Sequence, residues 1–454
     1  MTNITALVVR GERVILPDGV RPAAIHVRDG RITAIESGPG ATGVQPTGDE
    51  RVIDAGDAVV SPGLVDSHVH INDPGRESWE GFEHATRAAA AGGVTTLVDM
   101  PLNSIPATTT VAGLEAKRRA AAGKCHVDVG FWGGVVPGNA RDLEPLARAG
   151  VLGFKSFLCP SGVDEFEHVT ENDLREAMPV VARLGVPLLA HAELPARLGQ
   201  PHGNPRRYIS WLDSRPPAAE HGAIDLLIGL AREFRTRVHI VHLASADALP
   251  SLVAARADGV AISVETCPHY LTFAAEEIRD GATAFKCAPP IRARDQREGL
   301  WRGLIEGVID LVATDHSPAP PGLKRLDDGD FVQAWGGIAS LQIGLPAVWS
   351  GARPRGVSVE RMAEWMSAAP ARLAGLDRVK GRIAIGQDAD FVIWNPDAEF
   401  RVDAAALHHR HPVTPYHGLR LVGRVQTTIL RGQVVFDAGE IIGPPQGRLV
   451  SGVV

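Results

Sequence analysis

Along the first 60 residues, apolar and polar positions alternate in short runs cut by Asp-Gly and Gly-rich turns: ALVVRG, ERVILPDG, AAIHVRDGRITAIESG and RVIDAGDAVV. Alternation with period two, bounded by such turns, predicts short strands joined as hairpins. The same texture returns near the C-terminus in GRIAIGQDADFVIWNP and VGRVQTTILRGQVVFDAGE. Two β-rich ends most simply pair, which predicts one small, discontinuous β-sandwich-like domain of residues 1–60 plus 378–454.

Between them, over residues 61–377, the rhythm changes. Apolar, β-branched runs recur: GLVDSHVH, VTTLVDM, VDVGFWGGV, VLGFKSFL, PLLAHAE, VHIVHLA, AISVETC and DLVATDHS. The segments between them, such as GFEHATRAAAAGG, GLEAKRRAAAGK and AAEHGAIDLLIGLAREF, have helical composition and period. Strands alternating with helices imply an α/β fold with a parallel sheet. Eight such units over roughly 260 residues match the size of a (β/α)8 TIM-like barrel. A doubly wound open sheet is the competing arrangement, but no GxGxxG follows the first strand.

Composition narrows the class. The chain has 454 residues, 44% hydrophobic and 22% charged, as in an ordinary globular protein. A formal charge of −7 carries no basic footprint for nucleic acid or for an anionic membrane. The four cysteines, Cys125, Cys159, Cys267 and Cys287, form no CxxC and suit a reducing compartment. With no signal-like N-terminus and no run of 18 apolar residues, a cytoplasmic protein without membrane partners is expected.

The chemistry begins at DSHVHINDPGRESWEG, residues 66 to 81. The run from Val59 to Val69 leads into His68 and His70, and residues two apart on a strand share a face. Barrel enzymes keep their chemistry at the C-terminal ends of the strands. At or near those ends lie His68 and His70 on strand one, Lys155 on strand four, His191 on five, His242 on six and Asp315 on eight. A lone strand histidine is more often a satisfied core residue than a ligand, and ATDHSP alone reads as a turn. Four imidazoles and a carboxylate at one barrel mouth would each cost roughly 1–3 kcal/mol if left unsatisfied. A metal removes that cost, and imidazole with carboxylate suits zinc or a similar divalent ion.

Lys155 either snorkels out or pairs with a carboxylate, or stands as a desolvated amine able to take up CO2. The resulting carbamate is an anion with two oxygens, one for each of two metals. Five conventional ligands also exceed what one tetrahedral site needs. Both points favour a binuclear centre.

The motifs VSPGLVDSHVHINDPGRESWEGFEHATRAAAAGGVTTLVDMPLNSIPATT, GFKSF, HAE, VHIVHLAS, VETCPHYL, KCAPPIR, ATDHSPAPP and AWGGIASLQ resemble the cyclic amidohydrolases of the amidohydrolase superfamily. Within that group they most resemble the allantoinase branch, over nearly the whole chain. The resemblance implies two divalent ions, zinc first with cobalt, manganese or nickel as alternatives. They would be held by His68, His70, Lys155 (as N6-carboxylysine), His191, His242 and Asp315. It further implies hydrolysis of the hydantoin ring of allantoin to allantoate, by hydroxide held between the metals with Asp315 as proton shuttle. A homo-oligomer, tetramer or dimer, is the family expectation.

Substrate discriminators are also present. Dihydroorotases typically read HxHxR, but position 72 is Asn. Hydantoinases usually carry a tyrosine five residues after the lysine, where this chain has Pro160 followed by Ser161. Asn103 and Ser317 resemble family positions that touch the ureide, and equally read as turn or cap residues. Arg76 would meet ligand or pair with Glu77 or Glu80, the pairing being the expectation. Trp79, Trp132, Trp211 and Trp335 are assigned to core packing by default. Residues 318–337 read as a gate over the mouth or as a surface loop. The competing functions are a hydantoinase or dihydropyrimidinase-type cyclic amidase and a non-catalytic scaffold, against which retention of all six ligand positions argues.

Overall fold

The computed structural model describes residues 6–43 and 50–452. Residues 1–5, 44–49 and 453–454 of the predicted β domain lie outside the described residues. The N-terminal strands are β1 (Ala6–Leu16), β2 (Gly19–Arg28), β3 (Arg31–Ser37), β4 (Arg51–Asp54) and β5 (Val59–Pro62). The central strands are β6 (Leu64–Val69), β7 (Val94–Asp99), β8 (Asp128–Phe131), β9 (Gly133–Gly134), β10 (Phe154–Phe157), β11 (Leu188–His191), β12 (Val238–Ile240), β13 (Ile262–Thr266) and β14 (Leu311–Val312). The C-terminal strands are β15 (Phe391–Arg401), β16 (Arg420–Leu430), β17 (Gln433–Asp437) and β18 (Glu440–Ile441).

The two chain ends meet in one nine-stranded sheet, ordered β18-β17-β16-β15-β5-β1-β2-β3 with β4 also on β1. β5 makes the join, running parallel to β1 and antiparallel to β15. The break expected between ALVVRG and ERVIL is not a turn. β1 continues through it, and a register shift between Gly11 and Val14 absorbs the polar pair Glu12 and Arg13. Such a bulge bends a strand without ending it. Asp29 and Gly30 do form the expected hairpin turn, at φ 51° and 79° between the paired Arg28 and Arg31. Positive φ at both positions is what a two-residue hairpin turn needs. The first part of GRIAIGQDADFVIWNP is irregular, and its strand begins only at Phe391.

Between the ends the fold is α/β. β6, β7 and β8 pair in parallel, and β9 to β14 pair in chain order. Trp132 alone separates β8 from β9, and its N–H donates to the Asp99 carbonyl of β7. A parallel bridge between Val69 and His316 brings the segment after β14 to the end of β6. Each apolar run predicted as a strand contains one, and the predicted helical segments are the helices Phe82–Ala91, Val111–Ala121 and Pro217–Phe234. All residues from 58 to 73 are buried, because both faces of these strands are covered, as in parallel sheets generally. No described helix is long and apolar enough to cross a membrane.

The terminal sheet is tied to the central strands by a buried charge cluster. The Lys380 ammonium contacts Asp128 of β8 at 2.7 Å, Asp388 at 2.9 Å and Asp390 at 2.6 Å, and Arg431 also pairs with Asp128. Removing one partner leaves uncompensated buried charge, which typically costs about 3–5 kcal/mol. Lys380→Met is therefore expected to lower unfolding stability by about that amount. Denaturant titration checks this, and a loss under about 1 kcal/mol would show the cluster to be dispensable.

Candidate metal centre

Five strands supply the six predicted ligands. His68 lies in β6 and His70 just past it, Lys155 in β10, and His191 closes β11. His242 and Asp315 follow β12 and β14 after short extensions. All six side chains are buried. Asp315 Oδ1 lies 3.2 Å from His68 Nε2 and 3.3 Å from His70 Nε2. His191 Nδ1 lies 3.1 Å from His242 Nε2, and the His68 and His242 ring centres are 5.3 Å apart. Ligand atoms of His68, His242 and Asp315 all fall within 4.8 Å of one another.

Backbone geometry adds its own signal. Asn72, Asn103, His242 and Asp315 all adopt positive φ, at 66°, 67°, 41° and 45°. For a non-glycine residue the left-handed region costs roughly 1–2 kcal/mol, least for Asn. Strain of this kind collects where a site over-determines the backbone. Here it turns His242 and Asp315 off their strands toward the cluster. Asp66 braces the Asp315 segment by accepting from the Thr314 N–H and hydroxyl and from the His68 N–H.

The histidines are oriented from behind. A carboxylate can only accept, so His68 Nδ1 donates to Glu265 and His191 Nε2 donates to Glu193 at 2.6 Å. That leaves the lone pairs of His68 Nε2 and His191 Nδ1 facing the cluster. Glu265 also accepts from His239 Nε2, and Glu193 is paired with Arg215. Burial opposes both carboxylates, but their cationic and imidazole partners outweigh it and hold each at about 2. Burial pushes His70, His191 and His242 below the usual imidazole range, toward the neutral form that binds metals.

The donor set fits metal. His68 Nε2 and Lys155 Nζ are buried without hydrogen-bond partners. Such orphans are costly unless something fills the centre. Lys155 is fully buried, enters no ion pair among the described residues, and lies 4.9 Å from the Phe157 ring centre. Burial brings its amine down to about 8, with Glu265 and Asp315 only partly opposing. It neither snorkels out nor pairs with a carboxylate. Burial alone would raise the Asp315 carboxyl, but His68, His70 and His269 outweigh it and hold it well below the usual range.

The cluster floors a cavity of about 330 Å³ whose walls include Asn103, Ser317 and Ala288. Asn103 Nδ2 also lies 3.4 Å from His70 Nδ1. Pro160 and Ser161 line it, and no tyrosine does. Two sequence expectations need correction. Arg76 pairs with Glu165 and donates to the Asn103 carbonyl at 2.8 Å, not with Glu77 or Glu80, because Glu80 is buried against the Arg410 backbone. Trp211 and Trp335 line the cavity, whereas Trp132 is core as expected. Segment 318–337 is partly wall: Val332 and residues 334–337 face the cavity, while Leu323 and Leu326 are exposed.

Sequence reasoning missed Glu193, Glu265 and Arg215. The signal was there in part, since a glutamate inside the apolar run AISVETC must find a partner if buried. Arg215 lies in a loop whose spatial partner no local pattern reveals.

Residues 59–435 match the amidohydrolase family. An allantoinase of Streptomyces avermitilis is 53% identical over 446 residues, covering 98% of each chain. An allantoinase of Arabidopsis thaliana is 45% identical over 457 residues, covering 97% of this chain and 90% of that one. Among solved structures, the L-hydantoinase (dihydropyrimidinase) of Arthrobacter aurescens superposes with TM-score 0.92 at 30% identity, covering 98% of this chain and 99% of its own.

Proposed function

The chain belongs to the amidohydrolase family, and on that premise we propose that it opens the hydantoin ring of allantoin to give allantoate. The observation that carries the reading is the convergence of His68, His70, Lys155, His191, His242 and Asp315 on one buried centre beneath a substrate-sized cavity. In this reading the ring of parallel strands, closed by the Val69–His316 bridge, is a (β/α)8 barrel of residues 61–377, carried with a β-sandwich-like domain of residues 1–60 and 378–454. The protein acts in the cytoplasm as a homo-oligomer.

The six residues would hold two divalent ions, zinc first. Lys155 joins them as a carbamate: the neutral amine bonds CO2 through nitrogen and loses a proton to solvent. When bound, the metals supply the charge that acidifies a water and polarises the ring carbonyl. No tyrosine is among the described residues that line the cavity, and the Tyr208 and Tyr270 hydroxyls donate to the Ile291 and Pro289 carbonyls. Asp315 accepts the proton as the water oxygen bonds the carbonyl carbon, then returns it to the ring nitrogen as the C–N bond breaks. Its carboxyl is held below the usual range and so stands ionised. Glu193 and Glu265 keep His191 and His68 in the tautomers that present their lone pairs.

Metal analysis of protein grown with zinc, cobalt or manganese should find about two equivalents, as for binuclear hydrolases generally. Well under one equivalent would overturn the metal reading. Substrate choice is tested by parallel turnover of allantoin, 5-substituted hydantoins and dihydroorotate. Arg215 is already ion-paired with Glu193, Lys286 is turned to the carbonyls of Val332 and Ala334, and Asn72 stands where dihydroorotases carry their arginine. Dihydroorotate, whose carboxylate would be desolvated without a partner, should give the lowest kcat/KM and allantoin the highest. A higher value for an aryl or alkyl hydantoin would make the protein a hydantoinase with the same metal chemistry.

A further inference from the structure

One wall of the cavity is held in an unusual way. Lys286 and Lys324 are both buried, and neither enters an ion pair among the described residues. Lys286 Nζ donates to the carbonyls of Val332 at 2.9 Å and Ala334 at 2.6 Å, and lies 4.1 Å from the Trp211 ring centre. Lys324 Nζ donates to the carbonyls of Trp335 at 3.0 Å and Gly337 at 2.7 Å. Two desolvated ammoniums thus grip four carbonyls of one short segment, and that segment lines the cavity. Burying a cation without a counter-charge is expensive, so this wall is held at a cost in stability.

What the wall presents is Trp335. Its ring meets Trp79 edge-on at 5.0 Å, tying it to the loop after β6. A Cβ added at Gly162 would lie 3.5 Å from the Trp335 ring, so the indole also abuts the loop after β10. That is the loop carrying Pro160 and Ser161. Trp132, Trp211, Trp301, Trp349 and Trp394 all donate their indole N–H within the protein. Trp79, Trp335 and Trp365 make no such bond among the described residues, and of these three it is Trp335 that lines the cavity.

The geometry points to Trp335 as a specificity-determining residue that reads the substituent on the ring carbon of a cyclic ureide, giving its N–H to a carbonyl of a polar arm. Lys286 and Lys324 are positioning residues that hold it there. The assignment rests on the cyclic-amide activity proposed above and deepens it by naming the part of the substrate that is read.

The test compares allantoin, which has a ureido arm, with unsubstituted hydantoin, which has none. Trp335→Phe keeps most of the ring and removes the donor. A lost hydrogen bond of this kind is worth about three- to tenfold in affinity. KM for allantoin should rise by about that factor, with kcat and metal content little changed and kcat/KM for hydantoin within about twofold. Trp335→Ala should widen the contrast, and Lys324→Met should reproduce it through the wall alone. Should Lys324→Met fail to fold, Trp335→Phe decides the matter. Equal losses on both substrates, or no change on either, would overturn the assignment while leaving the activity standing. Absence of wild-type turnover on both substrates would overturn the activity, and this assignment with it.

Discussion

Lys155→Ala is expected to lose both metal and turnover. The side chain is fully buried, and its Nζ has no partner. Its neighbours Glu265 and Asp315 do not restore the ordinary amine range, so burial leaves it at about 8. An amine in that condition is costly to keep as an ammonium and well placed to become a carbamate. Losing an outer partner of a metal ligand already costs about 10- to 100-fold in affinity or activity, and losing a residue that would itself hold metal should exceed that. Metal content after dialysis, measured with turnover, checks it. Formate or acetate supplied with the metal should restore part of both, by standing in for the missing carboxylate. Lys155→Met separates this role from simple packing. If the lysine is only an unpaired core residue, the apolar variant should be at least as stable and keep its metal and activity. That result would remove Lys155 from the site.

Asp315→Asn should keep most of the metal and lose turnover by about 10²–10⁴-fold. The amide still offers an oxygen toward His68 and His70, which now face the carboxylate at 3.2 and 3.3 Å. It cannot take up a proton. The loss should fall on kcat rather than KM, because the missing function is exercised in the transition state and not in binding. Metal analysis must accompany the kinetics, since loss of metal would give the same rate for a different reason. Near-normal turnover in a metal-replete variant would assign the proton transfer to another group.

Much of the architecture follows from local pattern. Strand and helix periods located the central elements, and turn chemistry located the hairpin at Asp29-Gly30. Boundaries were less legible where a bulge replaced a turn. Glu12 and Arg13 look like loop residues, but a strand partnered on both sides tolerates one irregular pair. The candidate ligands were legible because each is a polar residue in or beside an apolar run, and such a residue must have a partner.

What the sequence by itself determined is which residue types stand at the strand ends, and so the donor chemistry available. Tertiary structure alone decided their second partners and the shape above them. Glu193 and Glu265 became the carboxylates that orient His191 and His68. Arg76 turned to Glu165, and two tryptophans assigned to core became cavity wall. The same division explains Lys286 and Lys324, which no local pattern singles out and which are buried clamps in the fold. The physical reason is range. Periodicity and turn preference act over a few neighbours, whereas burial, tautomer and ion pairing depend on residues as distant as His68 and Glu265, 197 positions apart.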